Sequence, residues 1–163
     1  MSNYQVLFVC SGNTCRSPMA AGMLKAKLPP HLLDEVAVES AGILGIVGQR
    51  ATPNARAVAV EKDGNIEKHI SQGVSARLVS NSNIIFCMAQ EHVDFLLGKF
   101  PGYRENIFLL RNFSAKEKLP DPDIFDPIGS SIRVYRQCGD IIEEELNRIL
   151  PWLVELIEDN GKT

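Results

Sequence analysis

The stretch LFVCSGNTCRSPMA, residues 7–20, decides how the chain reads: an apolar run stops abruptly at two cysteines, a glycine, an asparagine, an arginine and a Ser-Pro pair. Residues Tyr4 to Val9, rich in Val, Leu and Phe without strict alternation, predict a strand covered on both faces, as in the middle of a parallel sheet. Pro18 to Leu28 has helical composition, with Ser17 expected as N-cap and Pro18 at the first helical position. A strand-to-helix loop presents backbone N–H groups at the partly positive end of a helix, which makes an anion site before any side chain is counted. Gly12 and Asn13 tolerate positive φ, so the chain can curl around a tetrahedral anion. The expected phosphate contacts are then Ser11, Gly12, Asn13, Thr14, Cys15 and Ser17. Arg16, six residues after Cys10, can return across such a ring and grip two phosphate oxygens with its planar fork. The same field is expected to lower the pKa of Cys10, where a depression of about three units would make it mostly thiolate at neutral pH. Nucleophile, oxyanion donors and charge neutralisation for in-line displacement thus lie within eight residues.

The rest of the chain frames that loop. At 163 residues and 45% apolar content it fits one domain over 1–163 that folds without staples. A net charge of -3 with mixed signs offers no basic stripe for nucleic acid or a membrane surface. The longest apolar runs are far short of a membrane span, and no leader pattern opens the chain, so a cytoplasmic location is expected. Four cysteines without C-x-x-C spacing and three scattered histidines give no support to a metal. Further strands are predicted at VAVES, NIIFCM and IFLL, and further helices at 54–62, 75–79 and 90–100. Residues 111–130 form a long loop rich in Pro and Asp, and 131–159 an amphipathic helical region expected to be interrupted at Gly139 and kinked or broken before Pro151. Strands alternating with helices make an α/β fold with a parallel sheet, whose ligands sit at the C-terminal strand ends. His31 and His92 are expected at the surface or in caps, and Cys87 and Cys138 in the core.

At Cys10, Gly12, Asn13, Cys15, Arg16, Ser17 and Pro18 the chain resembles the low-molecular-weight protein tyrosine phosphatase family, whose signature is C-x-G-N-x-C-R-S-P. The likeness continues through VESAGI, ATPNARAV, IIFCMAQEH and FDPIGSSIRVY. It implies a single-domain, three-layer α/β/α fold around a four-stranded parallel sheet, with a phosphate-binding loop after the first strand. It further implies Cys10 as a nucleophile that becomes phosphocysteine, Arg16 as the phosphoryl ligand, and Asn13, Ser17, Ser40 and His69 as the network supporting the loop. A reversible disulfide between Cys10 and Cys15 and the absence of any cofactor are also implied. The partners would be a phosphorylated protein or peptide and inorganic phosphate, with neither nucleic acid nor membrane.

A general acid is needed to protonate the leaving atom, an effect worth about 10² to 10⁴ in rate. Asp121, Asp123 and Asp126 all lie in the long loop, and spacing does not choose among them; the likeness of DPIGSS to the family's Asp-Pro-x-Gly pattern selects Asp126. Ile128 stands where an aromatic is common in the family, and the ILGIVG loop carries no aromatic wall. Thr14 resembles instead a bacterial subgroup acting on phosphoarginine, so phosphotyrosine and phosphoarginine both stay open as substrates. Rival readings are a thiol-dependent arsenate reductase, which needs a relay of neighbouring cysteines that Cys87 lacks, a phosphocarrier, and a non-hydrolytic phosphate-binding module.

Overall fold

The computed structural model describes residues 3–162. Strands β1 (Tyr4–Cys10), β2 (Val36–Gly42), β3 (Ile84–Cys87) and β4 (Ile107–Leu109) form one sheet in the order β2-β1-β3-β4, parallel throughout. β1 therefore lies between two strands and is buried on both faces. Val6, Phe8 and Cys10 join the larger apolar cluster, while Leu7 and Val9 join the smaller one on the opposite side. That two-sided burial is why its sequence lacks alternation. Helices α1 (Arg16–Lys27), α2 (Pro53–Glu61) and α5 (Ile132–Asn160) pack together over the larger cluster. Helices α3 (Ala76–Asn81) and α4 (Gln90–Lys99) lie toward the smaller one, completing the three-layer α/β/α arrangement. The chain reverses its direction of winding between β1 and β3, so the crevice at their C-terminal ends is where a ligand is expected.

Three local expectations need correction. Helix α1 begins at Arg16 rather than Pro18, and Cys15, not Ser17, is its cap residue. The Ser17 hydroxyl is turned instead to Cys10 Sγ, 2.9 Å away. Thr52 caps α2 by accepting from Ala55 N, and Ser75 caps α3 by accepting from Leu78 N. Helix α5 runs unbroken for 29 residues with Pro151 inside it. Asn147 and Pro151 are both exposed, so the hydrogen bond that proline cannot make is missing on the water side. The apolar stripe Ile142, Leu146, Ile149, Leu153 and Ile157 is buried on both sides of the proline and carries the helix across it.

Among the described residues no helix is long and apolar enough to cross a membrane.

Candidate active site

The loop between β1 and α1 is organised by Asn13. Its φ of 58° lies in the left-handed region, which asparagine tolerates better than other side chains, and it is fully buried. Every polar atom of the residue is partnered. Gln72 N donates to Oδ1 at 2.9 Å, which fixes the amide orientation; Nδ2 then donates to Ser17 Oγ at 2.8 Å and Ser40 Oγ at 2.9 Å. The backbone N–H points to Cys10 Sγ at 3.3 Å, and the carbonyl accepts from His69 Nε2 at 2.7 Å. Because that carbonyl can only accept, His69 carries its proton on Nε2. Burial pushes the His69 ring below its ordinary value, with Lys25 adding to the effect and the Asn13 carbonyl opposing it.

Gly42 closes the loop from the side. A Cβ there would lie 2.5 Å from the Ser11 carbonyl oxygen and 3.0 Å from Asn13 N, so only glycine lets β2 approach so closely. Ile43 N and Leu44 N donate to the carbonyls of Cys10 and Ser11, laying the exposed Leu44–Val47 segment along the loop.

Cys10 Sγ receives the Asn13 N–H and faces the Ser17 hydroxyl, whose oxygen already accepts from Asn13 and whose proton is free to point at sulfur. Burial pushes the Cys10 thiol up, against the downward pull of the Ser17 hydroxyl and backbone, the Arg16 guanidinium and the Asn13 N–H. The lowered pKa expected from the loop's field is thus corrected. The donors that favour thiolate are in place, but complete burial of the sulfur outweighs them. Cys15 Sγ turns the other way, 3.2 Å from Tyr135 Oη and 3.6 Å from Thr52 Oγ1. Desolvation, with the Cys15 contact next, lifts the Tyr135 hydroxyl to about 12. All four cysteines are free.

Arg16 is 3% exposed, and a buried guanidinium has to be partnered. Nη1 donates to the Ile124 carbonyl at 2.8 Å, Nη2 donates to Ser11 Oγ at 3.2 Å, and Asp126 Oδ2 lies 3.4 Å from Nη2. The three loop aspartates have separate places. Asp121 Oδ1 accepts from Asp123 N in a local turn, and Asp123 Oδ1 accepts from Gln90 N at the start of α4. Asp126, half exposed, accepts from Ile128 N through Oδ1 and turns its other oxygen to Arg16. At the mouth, Thr14 Oγ1 and Ile46 Cδ1 both come within 3.6 Å of where a Gly12 side chain would begin. Leu44, Val47 and Ile128 are exposed, and so is Phe125, the residue before Asp126.

Four contacts were not legible in advance. Gln72, which bonds both Asn13 and the Ser40 carbonyl, and the Tyr135–Thr52 pair behind Cys15 belong to no local motif. The Ile124 carbonyl is a backbone atom. His92, the third residue of α4, could be read as a capping residue, and it does cap Ala89 N through Nδ1 at 3.0 Å. It is not at the surface: it is fully buried, with Nε2 3.0 Å from Ser11 Oγ.

A cysteine cradled by donors at the end of the first strand of a parallel sheet, with a buried arginine and a facing carboxylate, defines a cysteine-dependent phosphoryl-transfer enzyme. Residues 5–161 match the model of the low molecular weight phosphotyrosine protein phosphatases, and the chain belongs to that family. It is 36% identical over 146 residues to the protein-arginine-phosphatase of Geobacillus stearothermophilus, spanning 90% of this chain and 93% of that one. It is 35% identical over 147 residues to the low molecular weight protein-tyrosine-phosphatase Wzb of Salmonella typhi, spanning 86% and 95%. The structure of the YwlE arginine phosphatase from Geobacillus stearothermophilus superposes with a TM-score of 0.82 at 35% identity, covering 92% of each chain.

Proposed function

We propose that this protein hydrolyses phosphoarginine on proteins through a phosphocysteine at Cys10, as a single phosphatase domain over 1–163 located in the cytoplasm. The observation that carries the substrate class is the mouth of the loop, where a small hydroxyl, Thr14, and aliphatic Ile46 converge over Gly12. A flat guanidinium can be hydrogen-bonded there, whereas a phenyl ring is better held between aromatic faces. The arginine phosphatases among the relatives support the same class.

On binding, the Cys10 thiol gives its proton to an oxygen of the dianionic phosphoryl group, and the resulting thiolate attacks phosphorus in line while Arg16 and the loop from Ser11 to Ser17 hold the phosphoryl oxygens; the P–N bond breaks and Asp126 delivers its proton to the departing nitrogen. Asp126 is chosen over Asp121 and Asp123 because it alone of the three faces Arg16. Water then attacks the S–P bond, gives its proton to the Asp126 carboxylate and releases phosphate and free Cys10. Asn13, Ser17, Ser40 and His69 keep the loop in shape, Cys15 backs it, and no cofactor enters.

Phosphotyrosine hydrolysis is the second reading, favoured by exposed Phe125 beside Asp126 and by the tyrosine phosphatases among the relatives. The test is kcat/KM on matched peptides carrying phosphoarginine or phosphotyrosine, with Cys10→Ser as the blank. A phosphoarginine preference of about tenfold or more, about 1.4 kcal/mol of transition-state binding, is expected. A reversed preference replaces the substrate, and turnover by Cys10→Ser overturns the mechanism.

A further inference from the structure

His92 is wholly buried at the first turn of α4. Its Nδ1 faces the Ala89 N–H, which can only donate, so Nδ1 keeps its lone pair and the neutral ring carries its proton on Nε2. That proton points at Ser11 Oγ, 3.0 Å away. Ser11 Oγ also accepts from Arg16 Nη2, so both of its lone pairs are used and its own hydrogen is left for Glu91 Oε1 at 3.4 Å. Desolvation and then the Arg16 charge push the His92 ring down to about 4, which keeps it in this neutral form.

The same turn holds the other arm of the guanidinium. Ile124 N donates to the Met88 carbonyl and Gln90 N to Asp123 Oδ1, both at 2.8 Å, and the Ile124 carbonyl receives Arg16 Nη1. Both ends of Arg16 are therefore anchored on residues 88–92, one through the loop that carries Asp126 and one through Ser11.

We propose that His92 is a positioning residue: its Nε2–H holds Ser11 as an acceptor for Arg16 and so ties the phosphate-gripping arginine to the first turn of α4. This rests on the assignment of Arg16 as the phosphoryl ligand.

The test compares His92→Asn with His92→Gln. The asparagine oxygen falls where Nδ1 lies and keeps the cap on Ala89 but does not reach Ser11; the glutamine amide reaches the place of Nε2. Two readouts are taken on each variant: kcat/KM with para-nitrophenyl phosphate, and the affinity for tungstate, a phosphate-shaped anion, by calorimetry. His92→Asn is expected to lose about tenfold on both, the scale of one hydrogen bond to a charged group, and His92→Gln to recover most of it. Ser11→Ala should cost a similar factor, and adding His92→Asn to it should cost little more, since both cut one chain of bonds. Wild-type behaviour of His92→Asn, equal losses in both His92 variants, or losses that multiply with Ser11→Ala overturn the proposal. Should His92→Asn not fold, the ring tautomer of the wild-type protein decides, by long-range ¹H–¹⁵N NMR: an Nδ1–H or charged ring at neutral pH overturns it. A wild-type protein that binds tungstate yet hydrolyses nothing sinks the phosphatase reading instead, while the tungstate series still judges His92.

Discussion

Ser17 shows how one hydroxyl serves two masters in the loop. Its oxygen is held by Asn13 Nδ2 at 2.8 Å, and its proton is thereby aimed at Cys10 Sγ at 2.9 Å. Among the influences that pull the Cys10 pKa down against burial, the Ser17 side chain is the largest. Ser17→Ala removes a donor that favours thiolate over thiol, so the sign of its effect is upward. The pH dependence of iodoacetamide alkylation at Cys10 is therefore expected to shift to higher pH in Ser17→Ala, and an unchanged or lower midpoint would show that the hydroxyl does not act on the sulfur. Cys10, Asn13, Arg16 and Ser17 could be picked out of the sequence because they lie within eight residues and each residue type answers a separate geometric demand. His69 and Gln72 reach Asn13 across 56 and 59 residues of chain, a separation at which no local spacing rule operates. The resemblance named His69; Gln72 could only come from the folded structure.

The elements follow the same division between what is local and what is not. Strand β1 could be read from composition because burial on both faces imposes an apolar run, but α5 could not be read through Pro151, because the deciding contacts are made by its buried stripe rather than by the proline's neighbours. Gly139, read from sequence as an interruption of that helix, is instead its contact point: a Cβ there would lie 2.6 Å from Val58 Cγ1 on α2. Valine is stiff at χ1 in a helix and Val58 is fully buried, so it cannot swing aside. Gly139→Ala sets a propensity gain of about 1 kcal/mol against an overpacking cost of about 1–3 kcal/mol, and the clash should win. Urea unfolding is expected to show Gly139→Ala destabilised, and Gly139→Ala combined with Val58→Ala more stable than the sum of the two single changes. A stabilised Gly139→Ala, or strict additivity, would mean that the two helices do not meet at this point.

Over the whole molecule, buried His92 and half-buried His69 tie stability to pH. The His92 ring is lowered from 6.5 to about 4 in the folded chain, first by desolvation and then by Arg16, while the unfolded chain titrates near the ordinary value. Between about pH 4 and 6.5 the unfolded state therefore binds more protons than the folded one, and linkage requires stability to rise with pH across that window and level off above it. His69 is lowered as well and contributes with the same sign. His92→Asn isolates the first contribution, because it keeps an acceptor for Ala89 N, does not titrate, and leaves His69 and every carboxylate in place to cancel in the comparison. The unfolding free energy of the wild-type protein relative to His92→Asn is thus expected to be level above about pH 7 and to decline as pH falls from about 6.5 toward 4. Urea titrations of both proteins at several pH values measure that difference. A difference that stays constant with pH would mean that His92 takes up its proton equally well in both states, and that neither its burial nor the nearby Arg16 charge acts on the ring as the structure implies.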